Sequence, residues 1–542
     1  MFVPELKPWR AARPHVVRAA DAVRPRLARA TGAVRAAWPR IARPVRNTVP
    51  RLVRFTRPTG MTKSWQYSAG AATAGLALAA GVVTAAGPWD STGQRTAERE
   101  RAVAGSRTGG ADHGGAAGGS GTAPGSPRPA PSAAAVLTGL GGLTGNGTVQ
   151  AAPGTPALSD SLGPLLSGPA LGAEHAAAVL DLTNGRRLYG RNSGEALTPA
   201  STTKIATAVA ALSALGPDHR LTTRTALEPG TGELVLVGGG DPTLTAREDA
   251  RGLASLRVLA ADTAAALKKR GTRSVTLSYD TTLYPVAEMH PIGVNDNIAL
   301  VTALMTDEAR TDDSSSGPAP RAADPAAEAA RRFAGMLAGH GVTTTAPGPS
   351  KATGRATTLA TVSSPPVSAL VERMLTESDN DLAEALARHT ALAGGKSADF
   401  RGVSAALTAR LRRLGLPLDG TVFRDGSGLD RRDRVTADLL TALLAEAADP
   451  ARPELRPVLT GLPVAGFTGT LTGRYGAGDD ASGLVRAKTG TLTGVNTLAG
   501  TVVDADGRLL AFAFLASGTS DAHAAQNALD RAATSLTACS CG

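Results

Sequence analysis

The chain has 542 residues and a formal net charge of +11, so it is long enough for several domains and basic enough to raise nucleic-acid binding as a function. The position of the charge excludes that function. Residues 1–60 carry 14 basic and two acidic side chains, whereas the remaining residues carry 43 basic and 44 acidic ones. We therefore predict a nearly neutral folded region without a nucleic-acid partner.

The N-terminal region predicts export. Residues 1–62 are rich in Arg, Ala and Pro, which is typical of a disordered tail, and their charge predicts a cytoplasmic location. The segment 63–89 contains an uncharged stretch, residues 68–87, which is long enough to span a bilayer and has aromatic residues near both ends. A cleaved signal peptide ending near Ala86 is the alternative. In either case we predict that the rest of the chain lies outside the cytoplasm, anchored in the membrane or secreted.

Three further features lead to predictions, which are a second candidate start, a linker and two cysteines near the C-terminus. Met61 is a second candidate for the true start, which would leave the upstream residues untranslated. Residues 90–157 are mostly Gly, Ala, Ser, Thr and Pro and predict a flexible linker, because they cannot bury enough apolar surface to fold. The two cysteines, Cys539 and Cys541, lie in the tail 539–542 and are too close together for an unstrained bridge, so we expect no disulfide.

Ordered patterns begin at about residue 158. Strand-like runs on either side of tight turns predict two β-hairpins, at 176–190 and 496–516. A helix is predicted from about Asp521, and Leu- and Ala-rich patterns at 367–393 and 403–415 predict a cluster of helices.

The first candidate site is Ser201-Thr202-Thr203-Lys204, which opens a helical pattern. Residues three apart share a helix face, so the Lys204 amine can reach the Ser201 hydroxyl, and a serine nucleophile needs such a base. The chain contains 49 arginines and 8 lysines, and arginine cannot release its proton. Lysine at this position therefore favours a role as a base, although a surface cation near a helix start is the alternative.

The second candidate site is Ser378-Asp379-Asn380, at the junction of two helical patterns. The hydroxyl of Ser378 can relay a proton, and the amide of Asn380 can hold a substrate carbonyl. A helix cap is the alternative, because Ser, Asp and Asn all favour that position.

The third candidate site is Lys488-Thr489-Gly490-Thr491, which ends a strand-like segment. Lys488 supplies positive charge for a substrate carboxylate, and the hydroxyls of Thr489 and Thr491 can hydrogen-bond that carboxylate. Gly490 would let a ligand approach the strand closely. The alternative is an edge strand that a charge protects from aggregation.

Each motif is common alone, but the three in this order are typical of a serine acyl-transfer site. The chain resembles the D-alanyl-D-alanine carboxypeptidases among the class C, low-molecular-mass penicillin-binding proteins (serine peptidase family S13) over residues 158–538. Three further runs carry the resemblance, which are 236–244, 425–429 and 469–471 ahead of Arg474. The 173 residues between Lys204 and Ser378 exceed what a compact serine β-lactamase would hold there, yet fuller family members carry still more.

The resemblance implies an α+β DD-peptidase fold, similar to serine β-lactamases, with an antiparallel sheet flanked by helices. It also implies an inserted domain between the first two motifs, at 229–355, which divides the catalytic domain into the segments 158–228 and 356–538. It implies hydrolysis of the terminal D-alanine of peptidoglycan stem peptides through an acyl-enzyme, and DD-endopeptidase activity on crosslinks remains open. Peptidoglycan stem peptides are then the substrate partners, β-lactams are inhibitors, and no cofactor or metal is implied.

The resemblance also implies a role for each motif residue. The catalytic residues would be the nucleophile Ser201, its base Lys204, the proton shuttle Ser378 and the peptide-positioning Asn380. The substrate-binding residues would be Lys488, Thr489, Gly490 and Thr491, with the backbone N–H groups of Ser201 and Thr491 as the oxyanion hole. A β-lactamase and a non-catalytic sensor of β-lactams or the wall are the competing functions.

Overall fold

The computed structural model describes residues 158–293, 295–476 and 479–539. The predicted tail, membrane segment and linker, residues 1–62, 63–89 and 90–157, all lie outside these ranges. Within them, no helix combines the length and the apolarity that crossing a bilayer requires.

The described residues form ten helices and eleven strands in chain order. The helices are α1 Leu158–Leu166, α2 Thr203–Leu215, α3 Leu256–Lys269, α4 Pro325–Gly339, α5 Val367–Glu377, α6 Asn380–Ala393, α7 Phe400–Arg413, α8 Ala437–Ala448, α9 Pro457–Thr460 and α10 Ala522–Thr537. The strands are β1 Glu174–Asp181, β2 Arg187–Arg191, β3 Thr222–Leu227, β4 Glu233–Val237, β5 Ser274–Asp280, β6 Thr343–Thr344, β7 Gly348–Pro349, β8 Thr357–Ser363, β9 Val485–Leu492, β10 Val495–Val503 and β11 Leu509–Ser517.

Five strands form an antiparallel sheet in the order β2-β1-β11-β10-β9, which contains both predicted hairpins. Residues alternate between its two faces, as the period of a strand requires. Ala511 and Ala513 join the core on the side of α2 and α8, whereas Phe512 and Phe514 join the core on the side of α1 and α10. Helices therefore cover both faces, and the predicted α+β architecture is confirmed.

Helix α2 is the central element of the helical cluster, and its residues from Thr203 to Leu212 are all buried. It packs against α5, α6, α7 and α8. A helix enclosed in this way needs no polar face, which explains its run of Ala, Val and Ile. The predicted helical pattern at 367–393 is two helices, α5 and α6, because Ser378 takes a left-handed conformation with φ 58° between them.

The second sheet forms most of the insertion between α2 and α5. Its strand order is β6-β5-β4-β3-β8, with β7 also pairing with β5, and α3 and α4 bury its core. Strands β3 and β8 pair with each other, so the sheet runs from residue 222 to residue 363 and extends beyond the predicted insert at 229–355 at both ends. We accordingly propose 222–363 as the bounds of the inserted domain.

The expectation that the C-terminal cysteines form no bridge is wrong, because Cys539 is disulfide-bonded. The sequence argument weighed only the short separation of the two cysteines along the chain. Helix α10 ends at Thr537, so Cys539 lies beyond the helix and is free of its regular geometry.

Candidate active site

Ser201 and Lys204 lie at the start of α2, where the sequence predicts them. Ser201 belongs to a short 3-10 turn, Ala200–Thr202, and α2 begins at Thr203, so the helix start is tighter than expected. The Nζ atom of Lys204 is 3.0 Å from Oγ of Ser201. The nucleophile and its candidate base are therefore within hydrogen-bond reach.

The Lys204 side chain is completely buried and has two further partners. Its Nζ donates to Oδ1 of Asn380 at 2.6 Å and to the carbonyl oxygen of Ser427 at 2.7 Å. Burial lowers the pKa of Lys204 to about 8, although the charges of Asp425 and three other carboxylates oppose that shift. The amine therefore loses its proton far more readily than a surface lysine does.

In the second motif, Asp379 caps a helix, whereas Asn380 contacts Lys204. Asp379 is the N-cap of α6 and accepts a hydrogen bond from the backbone N–H of Leu382 at 2.9 Å. Asn380 is thereby free to bond Lys204, and its Nδ2 donates to the carbonyl oxygen of Asn297 at 2.9 Å. Ser378 ends α5 in the left-handed conformation and lines the same cleft as Ser201.

The third motif lies on β9, which is an edge strand of the five-stranded sheet. Lys488 is completely buried, and its Nζ donates to the carbonyl oxygen of Thr489 at 2.8 Å. Burial, followed by the positive charges of Lys204 and Arg474, holds the pKa of Lys488 well below its ordinary value. Incoming negative charge would be strongly favoured here, because it would stabilise the protonated amine.

The hydroxyls of the two threonines already have partners around the cleft. Thr489 Oγ1 is 2.9 Å from Thr470 Oγ1, and Nε2 of Gln526 donates to Thr491 Oγ1 at 3.3 Å.

Packing within the protein also requires a glycine at position 490. A Cβ atom on Gly490 would lie 2.8 Å from the carbonyl oxygen of Pro199 and closer still to Oγ1 of Thr497. Thr497 Oγ1 itself donates to that Pro199 carbonyl at 2.8 Å. The glycine thus lets β9 pack against the turn that carries Ser201, and its role in the approach of a ligand stays a prediction.

A cleft of about 360 Å³ brings together residues from all three motifs. Ser201, Ser378, Asn380, Thr489 and Thr491 line it, whereas Lys204 and Lys488 lie buried beneath its surface. Sequence reasoning missed several residues that also line it, which are Asn297, Arg310, Ser316, Arg321, Asp381, Leu429 and Gln526. Five of these belong to the inserted domain or to α6, and those five had no motif signal of their own, whereas Leu429 lies in the run 425–429 that contributes to the resemblance.

The Asp425–Gly428 loop is the most informative of the missed features, because Ser427 presents its carbonyl to Lys204. The sequence identified this run as contributing to the resemblance but gave it no role. Oε1 of Glu384 accepts hydrogen bonds from the backbone N–H groups of Gly426 and Ser427 at 2.9 and 3.0 Å. A histidine also contacts this loop, because Nε2 of the fully buried His290 is 2.8 Å from Oδ2 of Asp425.

Two groups of buried side chains have the residue types of a metal site. His290, Glu384 and Asp425 form one group, and Glu308, Asp379 and Asp381 form the other. In the first, the carboxylates accept backbone N–H groups and the guanidinium of Arg388. In the second, Arg310, Arg321 and Arg373 pair with the acids. The positive charge that balances these carboxylates therefore comes from arginine side chains.

Comparison with known proteins identifies the family of this chain. The model of the D-Ala-D-Ala carboxypeptidase 3 (S13) family matches residues 158–310 and 311–537. The chain belongs to this family. The predicted family and its enzyme class, a serine-type D-Ala-D-Ala carboxypeptidase, are therefore confirmed.

Individual relatives cover most of the folded region of this S13 chain. It is 35% identical over 402 residues to carboxypeptidase DacB of Mycolicibacterium smegmatis, covering 71% of this chain and 85% of that protein. It is 32% identical over 445 residues to the D-alanyl-D-alanine carboxypeptidase of Actinomadura sp. strain R39, covering 67% and 81%. The crystal structure of penicillin binding protein 4 (dacB) from Haemophilus influenzae matches with a TM-score of 0.57 at 22% identity, covering 68% and 94%. This last similarity confirms the predicted DD-peptidase fold.

Proposed function

We propose that this S13 carboxypeptidase hydrolyses the terminal D-alanine of peptidoglycan stem peptides with Ser201 as nucleophile and Lys204 as its base. The hydrogen bonds of Lys204 support the proposal most directly. A neutral amine has two N–H groups and one lone pair. With the N–H groups donated to Asn380 and Ser427, the lone pair faces Oγ of Ser201 at 3.0 Å.

In acylation, Nζ of Lys204 takes the proton of the Ser201 hydroxyl while Oγ forms a bond to the carbonyl carbon of the penultimate D-alanine. The C–N bond to the terminal D-alanine then breaks, and the departing amine takes a proton, for which the Ser378 hydroxyl is the relay. Water reverses the sequence at the ester, which frees Ser201 and the shortened peptide. The backbone N–H groups of Ser201 and Thr491 would stabilise the oxyanion.

The third motif would bind the terminal carboxylate of the substrate. Lys488 is buried without a carboxylate partner among the described residues, and its pKa is held low. A substrate carboxylate beside Thr489 and Thr491 would supply the missing negative charge, so binding energy would concentrate on peptides with a free C-terminus.

Peptidoglycan is the substrate of this function, and β-lactams would be its covalent inhibitors. Peptidoglycan is a component of the wall, so the enzyme would act outside the cytoplasm. The membrane anchor at 68–87 and the alternative cleaved signal remain predictions from the sequence.

The test is release of D-alanine from diacetyl-Lys-D-Ala-D-Ala by the full chain, with Ser201→Ala as control. Release that disappears in the control supports the mechanism. Penicillin acylation of Ser201 without release would point to the non-catalytic sensor, and rapid penicillin turnover would point to a β-lactamase. If the enzyme neither releases D-alanine nor is acylated by penicillin, the assignment of Ser201 is refuted. A crosslinked muropeptide dimer as second substrate would measure endopeptidase activity.

A further inference from the structure

A histidine of the inserted domain, His290, contacts the Asp425–Gly428 loop beside Lys204. His290 belongs to the insertion, and its side chain is completely buried against Asp425, which belongs to the other domain. The ring also makes an edge contact with Phe400, with 5.4 Å between the ring centroids. A buried polar contact of this kind fixes both partners, because leaving either one unpaired is costly.

Hydrogen bonds on both ring nitrogens define the role of His290. The backbone N–H of Ile292 donates to Nδ1 at 3.2 Å, so Nδ1 is an acceptor. The ring proton therefore lies on Nε2, where it is donated to Oδ2 of Asp425 at 2.8 Å.

Asp425 also accepts hydrogen bonds from the loop that follows it, so its own position fixes that of the loop. Its Oδ1 accepts the backbone N–H of Gly428 at 2.7 Å, and its Oδ2 accepts the backbone N–H of Asp430 at 2.8 Å and the hydroxyl of Ser427 at 3.1 Å. Glu384 holds two more N–H groups of the same loop. With its amides held in this way, the loop turns the carbonyl of Ser427 towards Nζ of Lys204.

The direction of that carbonyl matters because it accepts one of the two N–H groups of neutral Lys204. If the carbonyl turns away, the amine can rotate, and its lone pair no longer points steadily at Ser201. A misplacement of about 1 Å in a catalytic group can cost about a hundredfold in rate.

We propose that His290 is a positioning residue for Lys204, through which the inserted domain fixes the direction of the catalytic base by way of Asp425 and the carbonyl of Ser427. The inference rests on the proposed roles of Ser201 and Lys204. The charged groups that act on Lys204 from its surroundings are Asp379, Asp381, Glu384, Asp425 and Lys488, and Glu384 and Asp425 also act on His290.

The experiment measures the rate constant of acylation by benzylpenicillin against pH for the full chain and for three variants at position 290. Gln places an amide donor close to the position of Nε2, Asn places one close to Nδ1, and Leu removes the donor. We expect His290→Leu to lower the acylation rate constant at high pH, where it no longer depends on pH, about tenfold or more. The same rate constant of His290→Gln should stay within about threefold of that of the unsubstituted protein. Recovery of the rate by Gln but not by Leu separates positioning of the base from a loss of packing, because only Gln restores a donor to Oδ2 of Asp425.

His389→Leu is the matched control, because His389 is also buried but its Nε2 makes no hydrogen bond within the described residues of the chain. It should change stability without moving the pH profile. If His290→Leu does not fold, the Gln and Asn variants decide, and equal rates in these two would overturn the inference. A His290→Leu profile that superimposes on the parent's would overturn it as well. Failure of the parent itself to be acylated would instead refute the proposed function.

Discussion

The protonation of Lys204 leads to a quantitative prediction for the rate of acylation. Only the free amine can accept the proton of Ser201, and the pKa of Lys204 is lowered to about 8. About one tenth of the enzyme would carry the free amine at pH 7, and about one hundredth at pH 6. The acylation rate constant should therefore rise about tenfold per pH unit up to about pH 8 and level off above it. An unperturbed lysine would keep the rate rising beyond pH 10.

The assay is stopped-flow or quenched acylation by benzylpenicillin from pH 6 to pH 10, because its carboxylate stays ionised throughout. Lys204→Arg should lose about a hundredfold or more across the whole range, since arginine cannot give up its proton. Lys396→Arg, at an exposed position, serves as the matched control and should leave the profile unchanged. A parent profile that is flat between pH 6 and pH 8, with the protein folded throughout, would refute a lysine base.

Other predictions concern stability as well as activity. Gly490→Ala should lower the free energy of unfolding in urea by about 1–3 kcal/mol and slow acylation, because the new methyl group would meet the turn that carries the nucleophile; unchanged stability would contradict this packing. Glu384→Gln should cost about 1.5–3 kcal/mol, because it removes the charged acceptor of one hydrogen bond from the buried Arg388, which keeps Glu288 as its other carboxylate partner. Asp249→Asn, in an exposed ion pair, is the control and should be silent by the same urea titration. Ser378→Gly and Ser378→Ala should both lose D-alanine release. Thermal melting should show the glycine variant about 1 kcal/mol more stable than the alanine variant, because φ is 58° there; the reverse order would argue against the left-handed conformation.

The sequence predicted those regions of the fold in which local pattern and tertiary structure agree. The hairpin of β10 and β11 differs from its prediction by one residue at either end. Both faces of these strands are buried, so each strand is a continuous run of uncharged, mostly apolar or small residues, and a turn separates the two runs. The bounds of the insert were harder to place, because β3 and β8 pair across more than one hundred intervening residues.

The proximity of the motif residues was predictable, because the proposed chemistry requires a particular side chain at each of these positions. Lys204 and Asn380 could be identified from residue type and order alone. In the structure Nζ of Lys204 lies 2.6 Å from Oδ1 of Asn380, although the two residues are 176 positions apart in the chain. The reason for Gly490 was not predictable, because a missing side chain shows only that something approaches closely. Whether the neighbour is a ligand or the chain itself depends on tertiary packing.

The acceptor that orients the base could not be read from any motif, since it is a backbone carbonyl and every residue has one. What distinguishes Ser427 is the loop geometry that turns its carbonyl inwards, and that geometry depends on Asp425, Glu384 and His290. These residues come from three separate regions of the chain, and each alone resembles an ordinary buried polar group. In this enzyme, therefore, the motif side chains carry the proposed chemistry, whereas the direction of the base depends on contacts that include the inserted domain.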